Sequence, residues 1–150
     1  MALRDRLQDD IKAALLSGNR FEANVLSGLK AAFLNEEVAL GKRDEGLSDD
    51  EYEKIIAGEV KKRAESIKLY EENGRPELAE NEKNESAVLE KYLPKQLSET
   101  EVADIVTQTI NEMGATGMQS MGMVIKAVKA KVGNTADGAI VARIVKDKLQ

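Results

Sequence analysis

Lys126 and Lys129, and then Arg143 and Lys146, form two pairs of basic residues, each three positions apart. On a helix that spacing sets both charges of a pair on one face. Cations arranged so on neighbouring helices suit contact with phosphates, as in a nucleic-acid backbone. Between the pairs runs Gly133-Asn134-Thr135-Ala136-Asp137-Gly138, and earlier comes Gly114-Ala115-Thr116-Gly117. Glycine turns of this kind end one helix and open the next, and the open amides of a helix N-terminus are ready phosphate sites. Lys131 and Gly138 complete the candidate set. The same residues have a structural reading: glycines just past helix ends followed by N-caps, and lysines in last turns complementing the helix dipole.

Most catalytic chemistry is excluded by composition. The chain has no histidine and no cysteine, which removes Ser-His-Asp and Cys-His nucleophiles, HExxH zinc sites and thiolate ligands. Its 27 Asp and Glu residues offer many pairs at helical spacing, but glycosidase-type pairs need a walled cleft, which a helical hairpin does not provide. Neither a GxxxxGK[ST] nor a GxGxxG phosphate loop is present, and every lysine lies in a polar context. The expectation is therefore no catalytic residue, no cofactor and no metal. Met118, Met121 and Met123 read as core filler or an adaptable contact patch.

Charge is unevenly spread. The net formal charge is −5 over 150 residues. Residues 1–93 hold 15 basic against 21 acidic side chains, whereas Met121 to Gln150 holds 6 against 2. A polyanion would meet the second stretch. Aromatic residues are 3% of the chain, so any core is mostly aliphatic. There is no apolar run of 18 residues and no apolar signal segment after Met-Ala-Leu-Arg-Asp-Arg, so the expectation is a soluble, cytoplasmic protein without a membrane partner.

The elements that must position these residues are all helical. Leu3, Leu7, Ile11 and Leu15 form one stripe; Phe21, Val25, Leu29 and Phe33 form a second, running towards Gly41. Ser48 and Glu51 make a capping box that opens a long helix from Asp49 to Asn73 with Tyr52, Ile55, Ile56, Val60, Ala64, Ile67 and Tyr70 on its apolar side. Gly74 stops it and Pro76 starts a fourth helix, whose first half, continuing from Leu78, has little to bury. Glu71 to Glu77 is the tip of an acidic hairpin. Further on, Val102, Ile105, Val106, Thr109, Ile110 and Met113 mark a fifth helix. Met121, Val124, Ile125, Val128 and Val132 mark a sixth, and Ile140, Val141, Ile144, Val145 and Leu149 a seventh.

A seam separates the two groups. Pro94 forces the preceding residue out of the helix, and Ser98 with Glu101 has the capping-box pattern. The expected architecture is all-α: an N-terminal hairpin or bundle of about four helices over residues 1–93, and a C-terminal three-helix domain over residues 94–150. Leu93, Pro94, Leu97 and Ser98 would form a restricted hinge between them.

Glu59-Val60-Lys61-Lys62-Arg63-Ala64-Glu65-Ser66-Ile67, Glu90-Lys91-Tyr92-Leu93-Pro94-Lys95-Gln96-Leu97-Ser98, Met121-Gly122-Met123-Val124 and Ala136-Asp137-Gly138 together resemble the GatB/YqeY family, in particular its small YqeY-like proteins. The resemblance implies a C-terminal domain similar to the tail of the GatB subunit of glutamine-dependent aspartyl/glutamyl-tRNA amidotransferase. It implies a tRNA-associated binding or accessory role, with carbon-nitrogen ligase activity using glutamine as amide donor assigned to the larger system rather than to this chain. The chain departs from the family pattern at Met123, Asn134 and Thr135, where relatives are often basic, and at Ser27, where they often have arginine. Fewer cations mean a smaller salt-dependent part of any affinity. The leading expectation is a tRNA or a tRNA-linked complex as partner. The alternative is a protein-interaction adaptor that grips its partner through the acidic hairpin.

Overall fold

The computed structural model describes residues 2–150. Among them are seven α-helices: α1 (Leu3–Leu16), α2 (Arg20–Ala39), α3 (Asp49–Glu72), α4 (Pro76–Glu90), α5 (Glu99–Met113), α6 (Met121–Val132) and α7 (Gly138–Leu149). Short 3-10 turns cover Met118–Ser120 and Gly133–Thr135, and no strand occurs among the described residues. The chain divides after Leu93 into two compact units, each with its own apolar core.

Local chemistry sets the helix ends in the first unit. Asn19 caps α2 by accepting from the Glu22 amide at 3.1 Å. Ser48 and Glu51 form a complete capping box on α3, Pro76 sits in the first turn of α4, and Gly74 turns the chain between them at φ +70°. Leu3, Leu7 and Ile11 are buried as expected, but Leu15 is 62% exposed and Ala14 takes the fourth buried place. The cause is helical drift: four residues overshoot one turn by about 40°, so a strict spacing of four leaves the core face after three steps. Phe21 is exposed for the same reason, while Leu26, which that spacing skips, is fully buried.

The long hairpin differs from its expected pattern along one edge. α3 extends for about 36 Å but fully buries only Tyr52 and Ile56; farther along, Ile67 and Tyr70 are half-covered and Ala64 is exposed. On α4 the buried row passes through Ala79, 1% exposed, and not through Leu78, which is exposed. An alanine suffices there because α3 and α4 pack along each other, and a small side chain lets two backbones approach. Ion pairs bridge the same two helices, Lys83 to Glu71 at 2.8 Å and Arg63 to Glu85 at 3.5 Å.

A buried carboxylate fastens the loop between α2 and α3. Glu37 is 2% exposed and accepts from the Tyr52 hydroxyl at 2.7 Å, while Arg4 Nε stands 3.5 Å from the same oxygen. The Tyr52 oxygen in turn accepts from the Leu47 amide at 2.9 Å. A buried charge needs this number of partners to offset its desolvation. Gly46 lies against the cluster at φ +77°, and a Cβ there would come within 2.8 Å of Arg4 Nη1 and 3.0 Å of Tyr52 Oη. A second polar cluster fixes the end of α4: the Tyr92 hydroxyl donates to Asp10, and the Arg6 guanidinium lies 4.4 Å above the Tyr92 ring.

The second unit is a small valine-rich core of α5, α6 and α7, with Val102, Val106, Val124, Val128, Val141 and Val145 essentially inaccessible. Met113, expected on the α5 stripe, is exposed; Gly114, at φ +62°, closes the helix immediately after it. At the start of α5 the Ser98 hydroxyl accepts from the Glu101 amide at 3.1 Å, and the Glu101 carboxylate meets that hydroxyl.

Two measurements follow from the Tyr52 cluster. Gly46→Ala must both strain a left-handed backbone and displace Arg4 and Tyr52, so it should cost about 2–3 kcal/mol in urea unfolding. Gly74→Ala, left-handed but facing open space, should cost about 1 kcal/mol. The second is alkaline. Burial, opposed by the Leu47 amide and reinforced by Glu37, holds the Tyr52 phenol above its ordinary 10.0, and burial followed by Asp10 raises Tyr92 as well. The unfolded chain therefore releases these protons first. Their contribution is complete below about pH 10 and is lost as pH rises beyond it. Unfolding free energy should decline between about pH 10 and 11, and more shallowly in Tyr52→Phe and Tyr92→Phe; parallel slopes would refute the assignment.

Candidate nucleic-acid interface

α6 and α7 carry the basic residues of the second unit. Val124, Val128 and Val132 face its core, and at 100° per residue Lys129 and Lys126 then project to one flank and the outer face of α6, with Lys131 on the opposite flank. All three are exposed. On α7, Val141, Ile144, Val145 and Leu149 turn inward, leaving Arg143 and Lys146 outside.

Neighbours divide the basic residues into two sets. The Lys131 ammonium is 2.8 Å from Glu112 and donates to Thr109 Oγ1 at 2.9 Å, which ties α6 to α5. Arg143 Nη2 lies 2.7 Å from Glu99 Oε1, which ties α7 to the start of α5. Lys129 is placed differently. Its side chain lies across the beginning of α7, so close that a Cβ on Gly138 would stand 3.3 Å from Lys129 Cε and 3.4 Å from Nζ. Glycine at 138 leaves room for that lysine.

The first turn of α7 is not an open anion site. Asp137 caps it, its Oδ1 accepting from the Ala139 amide at 2.9 Å. This occupies one of the helix-end amides and adds a negative charge where a phosphate would sit. The chemistry available at this end of the unit is that of exposed lysines flanking a capped turn. Asn134 and Thr135 in the turn are half-buried, and Met123 on α6 is 67% exposed.

The linker residues are anchored on either side of the division. Leu93 packs against the first core and Leu97 against the second. The Leu97 amide donates to the Thr135 carbonyl at 2.8 Å, and Gln96 Nε2 donates to the Asn134 carbonyl at 3.0 Å and to that of Pro94 at 2.9 Å. Gln96 was not marked by sequence reasoning as a site residue; its place in the Tyr92-to-Leu97 block was the available signal. Leu97 packs on the second core and Ser98 caps α5.

Elsewhere, a groove of about 300 Å³ between α1 and α2 is lined by Arg4, Leu7, Lys30, Phe33, Leu34 and Glu37 among others. Of its two carboxylates, Glu37 is committed to Tyr52 and Arg4, and the other is Asp5.

The family described as Yqey-like protein matches residues 4–149. The chain is also similar to the protein named Altered inheritance of mitochondria protein 41, mitochondrial, from Clavispora lusitaniae, with 28% identity over 148 residues that span 97% of this chain and 76% of that protein. With the match covering all seven helices, the chain belongs to the YqeY-like family.

Proposed function

We propose that this protein is a non-catalytic, tRNA-associated binding protein that contacts RNA phosphates through α6 and α7. The observation carrying this reading is Lys129 lying across Gly138: the cation of one basic helix is held at the start of the next, within a segment of net charge +4. Lys126 and Lys146 extend the same exposed basic surface. Lys131 and Arg143 can join it only by exchanging Glu112 and Glu99, so their share is smaller. Because Asp137 occupies the α7 cap, phosphate contact runs through ammonium groups and not through the helix end.

The accessory role follows from the same features. The chain has no histidine or cysteine and its basic surface is open to solvent, and the reading assigns amide transfer from glutamine to a larger system with which it would associate. We take Leu93 to Ser98 as a restricted hinge, since the four Cα–Cα steps from Leu93 to Leu97 reach about 14 Å at most. No helix among the described residues is long and apolar enough to cross a membrane.

A second reading rests on the hairpin tip, where Leu69 and Leu78 are exposed beside Glu71, Glu72 and Glu77: an adaptor that grips a basic, partly apolar protein surface. Loss of residues 94–150 separates the readings, since it abolishes RNA binding in the first and spares partner binding in the second.

Binding of the full chain to unfractionated tRNA, followed by fluorescence anisotropy, should weaken linearly in log Kd against log salt with a slope of about 2–3, the value for two to four phosphate contacts. Joint Lys126→Glu, Lys129→Glu, Arg143→Glu and Lys146→Glu substitution should abolish it, while Lys131→Gln should change affinity by no more than about twofold and destabilise the fold by up to about 1 kcal/mol. Binding that is absent, or indifferent to salt, would overturn the reading.

A further inference from the structure

The linker residues Gln96 and Leu97 and the turn residues Asn134 and Thr135 are far apart in the chain, yet two hydrogen bonds join them. The Leu97 amide donates to the Thr135 carbonyl at 2.8 Å. The Gln96 side-chain amide, with two N–H donors, bridges the carbonyls of Pro94 and Asn134 at 2.9 and 3.0 Å. Asn134 and Thr135 are the turn between α6 and α7, bounded by the last buried residue of α6, Val132, and the cap of α7, Asp137. Within the turn, Gly133 is left-handed at φ +54° and the Thr135 hydroxyl donates back to Val132. The two bonds from the linker fasten this turn from outside, just before Gly138 and the Lys129 side chain that lies against it.

We propose that Gln96 is a positioning residue for the basic surface of α6 and α7. Its amide straps the linker onto the α6–α7 turn and fixes the register in which Lys129 crosses Gly138. Gln96 is exposed and touches no phosphate in this role; it acts through Asn134 and Thr135. Linkage makes the effect reciprocal: whatever orders the turn also holds the strap closed, and drawing the linker straight must release the turn. The functional part rests on the RNA-binding reading above, whereas the strap itself can be tested without RNA.

The test uses the full chain with Gln96→Met, which keeps length and neutrality but has no donor, alongside Gln96→Ala. Amide hydrogen exchange at Leu97 should quicken by about 2- to 10-fold, the range for one lost exposed hydrogen bond. The Gly138 and Ala139 amide resonances should move, while far-UV helicity and the unfolding midpoint stay as in the parent chain. Unchanged exchange at Leu97 with unmoved Gly138 and Ala139 resonances would overturn the proposal, and so would a general quickening across α5–α7 with a lowered midpoint, which marks a merely structural role. With tRNA as probe, Kd should rise by the same factor at an unaltered salt slope, since no cation is lost. A parent chain that fails to bind tRNA sinks the RNA-binding reading alone and leaves the exchange measurement to decide the strap.

Discussion

Two leucines four residues apart serve different cores, and most of the architecture depends on that commitment. Leu93 closes the first core beside Tyr92, and Leu97 opens the second. Proline at 94 keeps the backbone between them out of the helix that would otherwise run on from α4. If α4 continued, Leu97 would fall on a helix face and the second core would lose its first apolar contact, as would the turn its Leu97 tie. The polar groups around the division reinforce it. Tyr92 is held by Asp10 and Arg6 in the first unit, while Gln96 and the Leu97 amide are held by the α6–α7 turn in the second.

The two cores are stabilised differently. The first contains a buried carboxylate partnered by Tyr52 and Arg4, and the Phe33 and Tyr52 rings meet at 4.4 Å beside it. Removing one partner there leaves the buried carboxylate with less compensation, which costs more than the bond itself contributes. The second unit is nearly all valine inside and places its ion pairs, Lys131 with Glu112 and Arg143 with Glu99, at the surface. Such exposed pairs contribute little to stability. Their main consequence is electrostatic: they neutralise two of the six cations of α6 and α7 and leave Lys126, Lys129, Lys146 and Lys148 exposed.

Much of the helical fold was legible because periodicity, caps and breakers agreed. Ser48 with Glu51, Asn19, Gly74 and Pro76 mark boundaries by local chemistry that needs no tertiary context. What the sequence concealed came from geometry beyond one turn. Leu15 and Phe21 kept a spacing of four that a 3.6-residue helix cannot follow, and Ala79 replaced Leu78 because close helix contact favours a small side chain. For the candidate interface, the residue types and their i, i+3 spacing were readable. Their partners were not: Lys131 meets Glu112 from 19 positions away, and Gln96 meets Asn134 across 38. A tie of that range leaves no periodic trace.

The central claim, that α6 and α7 meet an RNA backbone through lysines beside the capped α7 turn, is tested most directly by mapping amide chemical shifts of the full chain during titration with tRNA. The expected result is perturbation concentrated at Lys126, Lys129, Gly133 to Ala139 and Lys146, fading as salt is raised. Perturbations centred on the α3–α4 hairpin, or none at all, would contradict it.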